Sequence, residues 1–330
     1  MSETPRILLD GLAAGGLPAA PPGGLLLGAD PFAPPPGDDP FLARLDALRG
    51  APGPPLADRQ ALGLLERLLD DGERKRMAAL ADLAERHGLS AGALRSAFPW
   101  FLALYRGWFR VRSRGAEHLP AVGGAVLAGN HAGLLPFDGA MTVLDVLLHT
   151  DPPRLARAVV DRWGAALPVV GAFLARLGQV EATPENFAAL LAEGRLVLVF
   201  PEGMDGMRKP VTQRYRVQRF HTGFVAQSLR ARVPIVPVAI AGSDDQAPIL
   251  LDVKPLARLL RLPVAPVTPT FPWLGPLGLL PYPVRYRIAY GEPCDFHERF
   301  GPEGAEDPRL VRSLADQVRR SVQRLLDRNR

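Results

Sequence analysis

A histidine and an aspartate, His131 and Asp138, stand in the stretch Gly129-Asn130-His131-Ala132-Gly133-Leu134-Leu135-Pro136-Phe137-Asp138. Neutral imidazole takes up a proton near pH 7, and a carboxylate beside it fixes the tautomer and stabilises the imidazolium. The two are therefore a candidate general base and its orienting group. The apolar run Gly124-Ala125-Val126-Leu127-Ala128 before them reads as a short buried strand, and the apolar spacing of residues 139–148 reads as a helix. Strand, Gly/Pro-bearing turn and helix put His131 at a strand's carboxyl end, where open α/β sheets keep their ligand sites. A structural reading competes: a turn histidine, and an aspartate that caps the helix.

Three later blocks follow in order: Gly171-Ala172-Phe173-Leu174-Ala175-Arg176, Phe200-Pro201-Glu202-Gly203, and Val233-Pro234-Ile235-Val236-Pro237-Val238. With Asn130-His131 they resemble the glycerolipid acyltransferase superfamily, from about Arg112 to about Pro293. The likeness is nearest the branch with monoacylglycerol and diacylglycerol acyltransferase-like proteins, which often shows Leu-Pro-Phe-Asp and Pro-Thr-Phe-Pro. The resemblance implies that His131 and Asp138 are catalytic. It implies that Asn130, Arg176, Glu202 and Gly203 shape the acceptor site, and that Pro237 ends a block forming the acyl pocket. Two departures stand out. Six residues, Ala132 to Phe137, separate His131 from Asp138 where the superfamily usually has four. Met204 and Asp205 follow Gly203 where a small hydroxyl residue and Arg are usual. The nearest basic residues, Arg208 and Lys209, are the candidates to supply that charge.

The remaining chain must position these groups. Strands alternating with helices predict an α/β fold, a mixed and mostly parallel sheet flanked by helices, with an N-terminal helical extension. Leu196 to Phe200 is the clearest buried strand, with Pro201-Glu202-Gly203 at its carboxyl end; residues 235–241 form another, and residues 285–290 alternate like a strand. Residues 1–55, rich in Pro, Gly and Ala, read as a disordered tail. Residues 56–111 read as the helical extension, 112–300 as the acyltransferase domain, and 301–330 as an amphipathic helix opened by Asp307-Pro308. Within the extension, Ser90 is expected to cap a helix that ends before Pro99. Leu83 to Phe98 resembles a helix-turn-helix. Its second helix offers only Arg95 and two serines to a DNA groove, so a plain helical hairpin is favoured.

With 39 Lys and Arg against 34 Asp and Glu, the formal net charge is +5, and lysine occurs only at 75, 209 and 254. Between Asp205 and Asp244 there is no acidic residue, while Arg208, Lys209, Arg214, Arg216, Arg219, His221, Arg230 and Arg232 fall there. Such a run is usually a solvated face, but guanidinium forks also match phosphate oxygens of a coenzyme A donor or a lipid headgroup. The first residues, with Glu3 and Asp10, do not read as a signal peptide, and the single Cys294 suits a reducing cytosol. Residues 262–284 carry no charge, yet seven prolines forbid a membrane-spanning helix there. That stretch and the aromatic cluster from Trp100 to Phe109 instead suggest contact with a membrane interface.

The expectation is an O-acyltransferase acting through His131 and Asp138, moving a fatty acyl group from acyl-CoA or acyl carrier protein to a glycerolipid hydroxyl. Oxyanion donors are expected among backbone N–H groups near the helix start. Mono- or diacylglycerol, or another lipid alcohol, is the alternative acceptor, and a non-catalytic lipid-surface protein the alternative role. A serine hydrolase would want G-x-S-x-G after a strand; the stretch of that spelling, Gly88-Leu89-Ser90-Ala91-Gly92, lies between two helical runs instead. No metal or resident cofactor is expected; the partners are the acyl thioester, the lipid acceptor and an anionic membrane surface, with no nucleic acid. The expected location is cytoplasmic, peripheral to the inner face of the cell membrane.

Overall fold

Hydrophobic runs of four to seven residues, too short for buried helices, become the central strands of the computed structural model. It describes residues 69–79, 88–133, 135–166, 170–259 and 264–330. The expected tail over residues 1–55, the helix expected from Ala57 and the first half of the helical hairpin lie outside the described residues. All that is described falls within one compact unit, Pro36–Arg330.

The described chain opens with helix α1 (Asp71–Ala79) and helix α2 (Ala91–Ala103). Strand β1 (Arg112–Arg114) and strand β2 (Ala125–Gly129) follow, then helix α3 (Phe137–His149) and strand β3 (Arg157–Val160). Helix α4 (Val170–Arg176), strand β4 (Val180–Glu181), helix α5 (Pro184–Ala192) and strand β5 (Leu196–Val199) come next. A single turn, α6 (Met204–Met207), precedes helix α7 (Gly223–Ala231) and strand β6 (Ile235–Ala241). Strands β7 (Leu251–Asp252) and β8 (Pro266–Val267) pair as a separate hairpin. Strand β9 (Arg287–Tyr290) and helix α8 (Pro308–Asn329) finish the chain.

Seven strands form one sheet in the order β1-β9-β6-β2-β5-β3-β4. Every neighbouring pair is parallel except β6 with β9. The sheet is thus mixed and mostly parallel, with helices on both faces. Strands β2 and β6 are buried along their whole length, as strands covered on both sides must be. Leu127, Leu198, Val236 and Ile240 pack toward α2 and α3 with Leu94, Phe98, Leu102, Met141 and Leu144. Val126, Val197, Ile235 and Ala239 pack on the opposite face with Phe187, Phe224, Val225, Leu314 and Val318. The period-two alternation of a strand makes this division.

Helix ends follow local chemistry. The Thr183 side chain accepts from Asn186 N–H with Pro184 at the first turn, and Asp307 accepts from Arg309 and Leu310 N–H with Pro308 in the same role. Ser90 caps α2 as expected, accepting from Ala93 N–H at 3.3 Å. The expected stop before Pro99 is wrong. Helix α2 runs through Pro99 to Ala103 and into a π turn, Leu104–Trp108. Pro99 deletes one helical bond, but Phe98, Pro99 and Leu102 are buried together, and packing outweighs the local loss.

Candidate active site

Strand β2 ends at Gly129, and the chain turns into Asn130 and His131 between the ends of β5 and β6. Asn130 anchors the turn on β6: its Oδ1 accepts from Ile240 N–H at 2.7 Å, and its Nδ2 donates to Ile240 O at 3.2 Å. An amide that pairs both ways with one backbone residue acts as an extra rung of the ladder. The turn then passes Gly133 at φ +83°, where an added Cβ would fall 2.5 Å from Gln246 Nε2. Only glycine fits that position.

The Nδ1 edge of His131 faces Asp138 Oδ2 at 2.6 Å. The same oxygen accepts from Ala132 N–H at 3.0 Å, and Oδ1 accepts from Gly139 N–H at 2.8 Å. Asp138 is fully buried and lies inside the first turn of α3, not ahead of it; Pro136 occupies the capping position and makes no side-chain cap bond. Asp138 is thus not the N-cap residue: Oδ2 is turned back onto the His131 loop, while Oδ1 takes one N–H of the helix's first turn. With Nδ1–H donated to Asp138, Nε2 of His131 carries the lone pair. The ring is stacked on Phe200, with centroids 4.4 Å apart and planes 14° apart, so its free edge has a fixed direction.

Glu202 is not at the surface. It is fully buried, and Oε1 accepts the backbone N–H of His131 at 2.8 Å while Oε2 accepts that of Gln218. Lys209 is buried too, its Nζ 3.0 Å from Asp244 Oδ1 and 3.9 Å from Glu202 Oε2. Burial pushes the carboxyls of Glu202 and Asp244 above the usual range, and the Lys209 ammonium pulls both back. The ammonium expected to meet substrate phosphate thus faces two internal carboxylates. Gly206 allows the packing: a Cβ there would lie 2.9 Å from both His131 O and Glu202 Cβ.

Of the residues singled out from sequence, Asn130, His131, Asp138, Glu202 and Lys209 form one connected cluster. Gly203, at φ +55°, makes the turn after Glu202, and Pro237 sits buried in β6 opposite Ala128. Arg176 and Arg208 are exposed, and among the described residues no hydrogen bond or ion pair joins either side chain to the cluster. Two residues went unremarked in the sequence. Gln246 donates from Nε2 to Ala132 O at 2.8 Å, and Tyr286 OH donates to Gln246 Oε1 at 2.6 Å. Both stand alone in sequence, more than a hundred positions from His131, and no spacing signals them.

Three of the backbone N–H groups around the turn are held internally. The N–H groups of His131, Ala132 and Gly139 are bound to Glu202 and Asp138. Beside the turn lies a cavity of about 240 Å³, lined almost wholly by apolar side chains. It begins at Leu135, Pro136 and Phe137, the link between His131 and Asp138, and runs between α3 and α2, with Phe98 and Phe101 on its far wall. No helix among the described residues is long and apolar enough to cross a membrane.

The Acyltransferase family model fits residues 110–241, so that segment carries an acyltransferase-family domain. The chain is 44% identical over 233 residues to the uncharacterized protein ML2427 of Mycobacterium leprae, covering 70% of this chain and 63% of that one. It is 43% identical over the same length to the uncharacterized protein Rv0502 of Mycobacterium tuberculosis, of which it covers 64%. The chain thus spans less than two thirds of these relatives. A more distant similarity, 23% over 194 residues, covers 58% of this chain and 54% of the DGAT1/2-independent enzyme synthesizing storage lipids of Gallus gallus. Among solved structures, the 1-acyl-sn-glycerophosphate acyltransferase PlsC of Thermotoga maritima aligns with a TM-score of 0.44 and 20% identity, over 80% of this chain and 87% of that one.

Proposed function

We propose that this protein transfers a fatty acyl group from an acyl thioester to a hydroxyl of a glycerolipid such as a lysophospholipid. The observation that carries the reading is the His131–Asp138 contact of 2.6 Å, with the residues that link the pair, Leu135 to Phe137, lining an apolar cavity. Nε2 of His131 takes the acceptor's hydroxyl proton as its oxygen bonds to the thioester carbonyl carbon. The resulting tetrahedral intermediate breaks its C–S bond, and the thiolate receives the proton back from the imidazolium. A positioned base contributes on the order of 10² to 10⁴ in rate. Asp138 supports the imidazolium with a buried carboxylate, while Glu202 and Gln246 hold the backbone on either side of the ring.

The cavity suits the hydrocarbon tail, since apolar walls recover about 0.8 kcal/mol per buried methylene. Arg208, Arg216 and Arg219 are exposed on the segment after Asp205, which has no acidic residue before Asp244. That segment suits the phosphates of a coenzyme A donor. Purified protein given labelled acyl-CoA or acyl carrier protein, with a panel of lysolipids and acylglycerols, tests the reading. A new ester that disappears in His131→Ala is the expected result. Turnover that persists in that variant would sink the proposed base, and product only on mono- or diacylglycerol would shift the acceptor class.

A further inference from the structure

Two apolar features far apart in sequence are one surface in the fold. Trp108, in the π turn after α2, donates its Nε1–H to Pro281 O at 3.1 Å, and Arg110 donates to Pro283 O at 2.7 Å. These bonds fix the aromatic segment beside the Pro-rich loop. Within that loop, Gly275–Leu279 is a 3₁₀ turn. At three residues per turn, Leu274, Leu277 and Leu280 stack along one side. Gly278 is pressed inward, where an added Cβ would meet Thr270 O at 2.5 Å, and its carbonyl accepts from Thr270 Oγ1 at 2.9 Å. The leucine row faces outward as a consequence. Leu277 is 70% exposed and Trp273 beside it 75%, and Leu274 and Leu280 each expose more than half of their surface.

We propose that this face, Trp108 with Trp273 and the Leu274–Leu277–Leu280 row, docks on an anionic lipid bilayer. Its charge complements that partner. The described stretches that build it, residues 88–116 and 264–291, contain no Asp or Glu and carry Arg95, Arg110, Arg112, Arg114, Arg285 and Arg287, with a further arginine, Arg106, ion-paired to Glu73. Arg110 and Arg285 are exposed beside the apolar row. Tryptophan and outward leucines bury shallowly at a bilayer interface while arginines meet acidic headgroups. The face also adjoins the cavity. Phe109, next to Trp108, stacks on Tyr286 at 4.6 Å and tilts against Phe137 at 5.5 Å, and Phe137 lines the cavity.

Vesicle flotation reads this surface independently of any reaction. The full chain is mixed with phosphatidylcholine vesicles with or without phosphatidylglycerol, at low and high salt. The wild type should float with the anionic vesicles at low salt and be released as salt screens the arginines. Trp273→Glu and Leu277→Glu should each weaken partitioning by about tenfold or more, with unchanged melting temperature because both side chains are exposed. A wild type that stays in solution with anionic vesicles at low salt would overturn the proposal, as would glutamate variants that float like the wild type. Flotation without any acyl transfer would leave the docking face standing and remove only the reaction proposed above.

Discussion

Replacing Lys209 with Met tests how the histidine turn is held. The ammonium lies 3.0 Å from Asp244 Oδ1 and 3.9 Å from Glu202 Oε2, and both carboxylates are almost wholly enclosed. Met is similar in length but leaves two buried anions without their cation. Removing one partner of a buried ion pair costs about 3–5 kcal/mol. For a domain of this size each kcal/mol lowers Tm by about 2–4 °C, so a loss of about 10 °C is expected. The loss should depend on pH. Burial already raises both carboxyls, and losing Lys209 raises them further. A carboxyl raised in the folded state contributes stability below its unfolded pKa and loses it as pH climbs through the folded value. The Tm deficit should therefore be small near pH 5 and grow toward pH 8. Adding Asp244→Asn should recover part of it at the higher pH. Thermal scans of wild type, single and double variants across that range decide the matter. A deficit equal at both ends, or no recovery in the double variant, would refute the charge argument.

Other outcomes follow from the same geometry. Asp138→Asn presents an amide N–H₂ toward N–H groups that now donate to a carboxylate, so turnover should fall about 10² to 10⁴-fold and Tm should drop measurably as well. Unchanged kinetics in that variant would count against the base. Gln246→Leu strands Ala132 O and Tyr286 OH in the interior, at about 1–3 kcal/mol each; kcat should fall more than the acceptor's KM rises, and the reverse pattern would make Gln246 a binding group. Ala97→Phe narrows the cavity wall on α2. Each methylene excluded should cost about fourfold in kcat/KM, so chain-length profiling should shift toward shorter thioesters, and an unmoved profile would take the acyl chain out of that cavity.

The sheet was readable because its strands are short apolar runs bounded by turn residues, and Val126 and Leu127 announce two buried faces by being apolar in succession. His131 and Asp138 were readable because their chemistry is local. What the pair is bound to was not. Asn130, Glu202 and Lys209 were singled out for substrate, yet each spends its polar groups on the backbone or on buried charge. A sequence gives residue type without burial, and burial decides whether a lysine meets a ligand or a carboxylate. Gln246 and Tyr286 reach the site through chain reversals that no period encodes. Pro99 misled in the other direction, since a rule about local hydrogen bonding yielded to the packing of Phe98 and Leu102.

The boundaries of likeness and of foldability do not coincide in this chain. The family model stops at Ala241, but β9, which separates β1 from β6, lies beyond it. A fragment cut to residues 110–241 would strand β1 with nothing to pair against and would lack the glutamine that ties down Ala132. It would also lose one side of the apolar cavity, since Leu94, Ala97, Phe98 and Phe101 all precede residue 110. Under the proposed function, the base and one wall of the acyl cavity are thereby carried by separate parts of the sequence. Under that same proposal, substitutions in α2 would retune which tails are accepted while the histidine, its carboxylate and the central strands stay untouched.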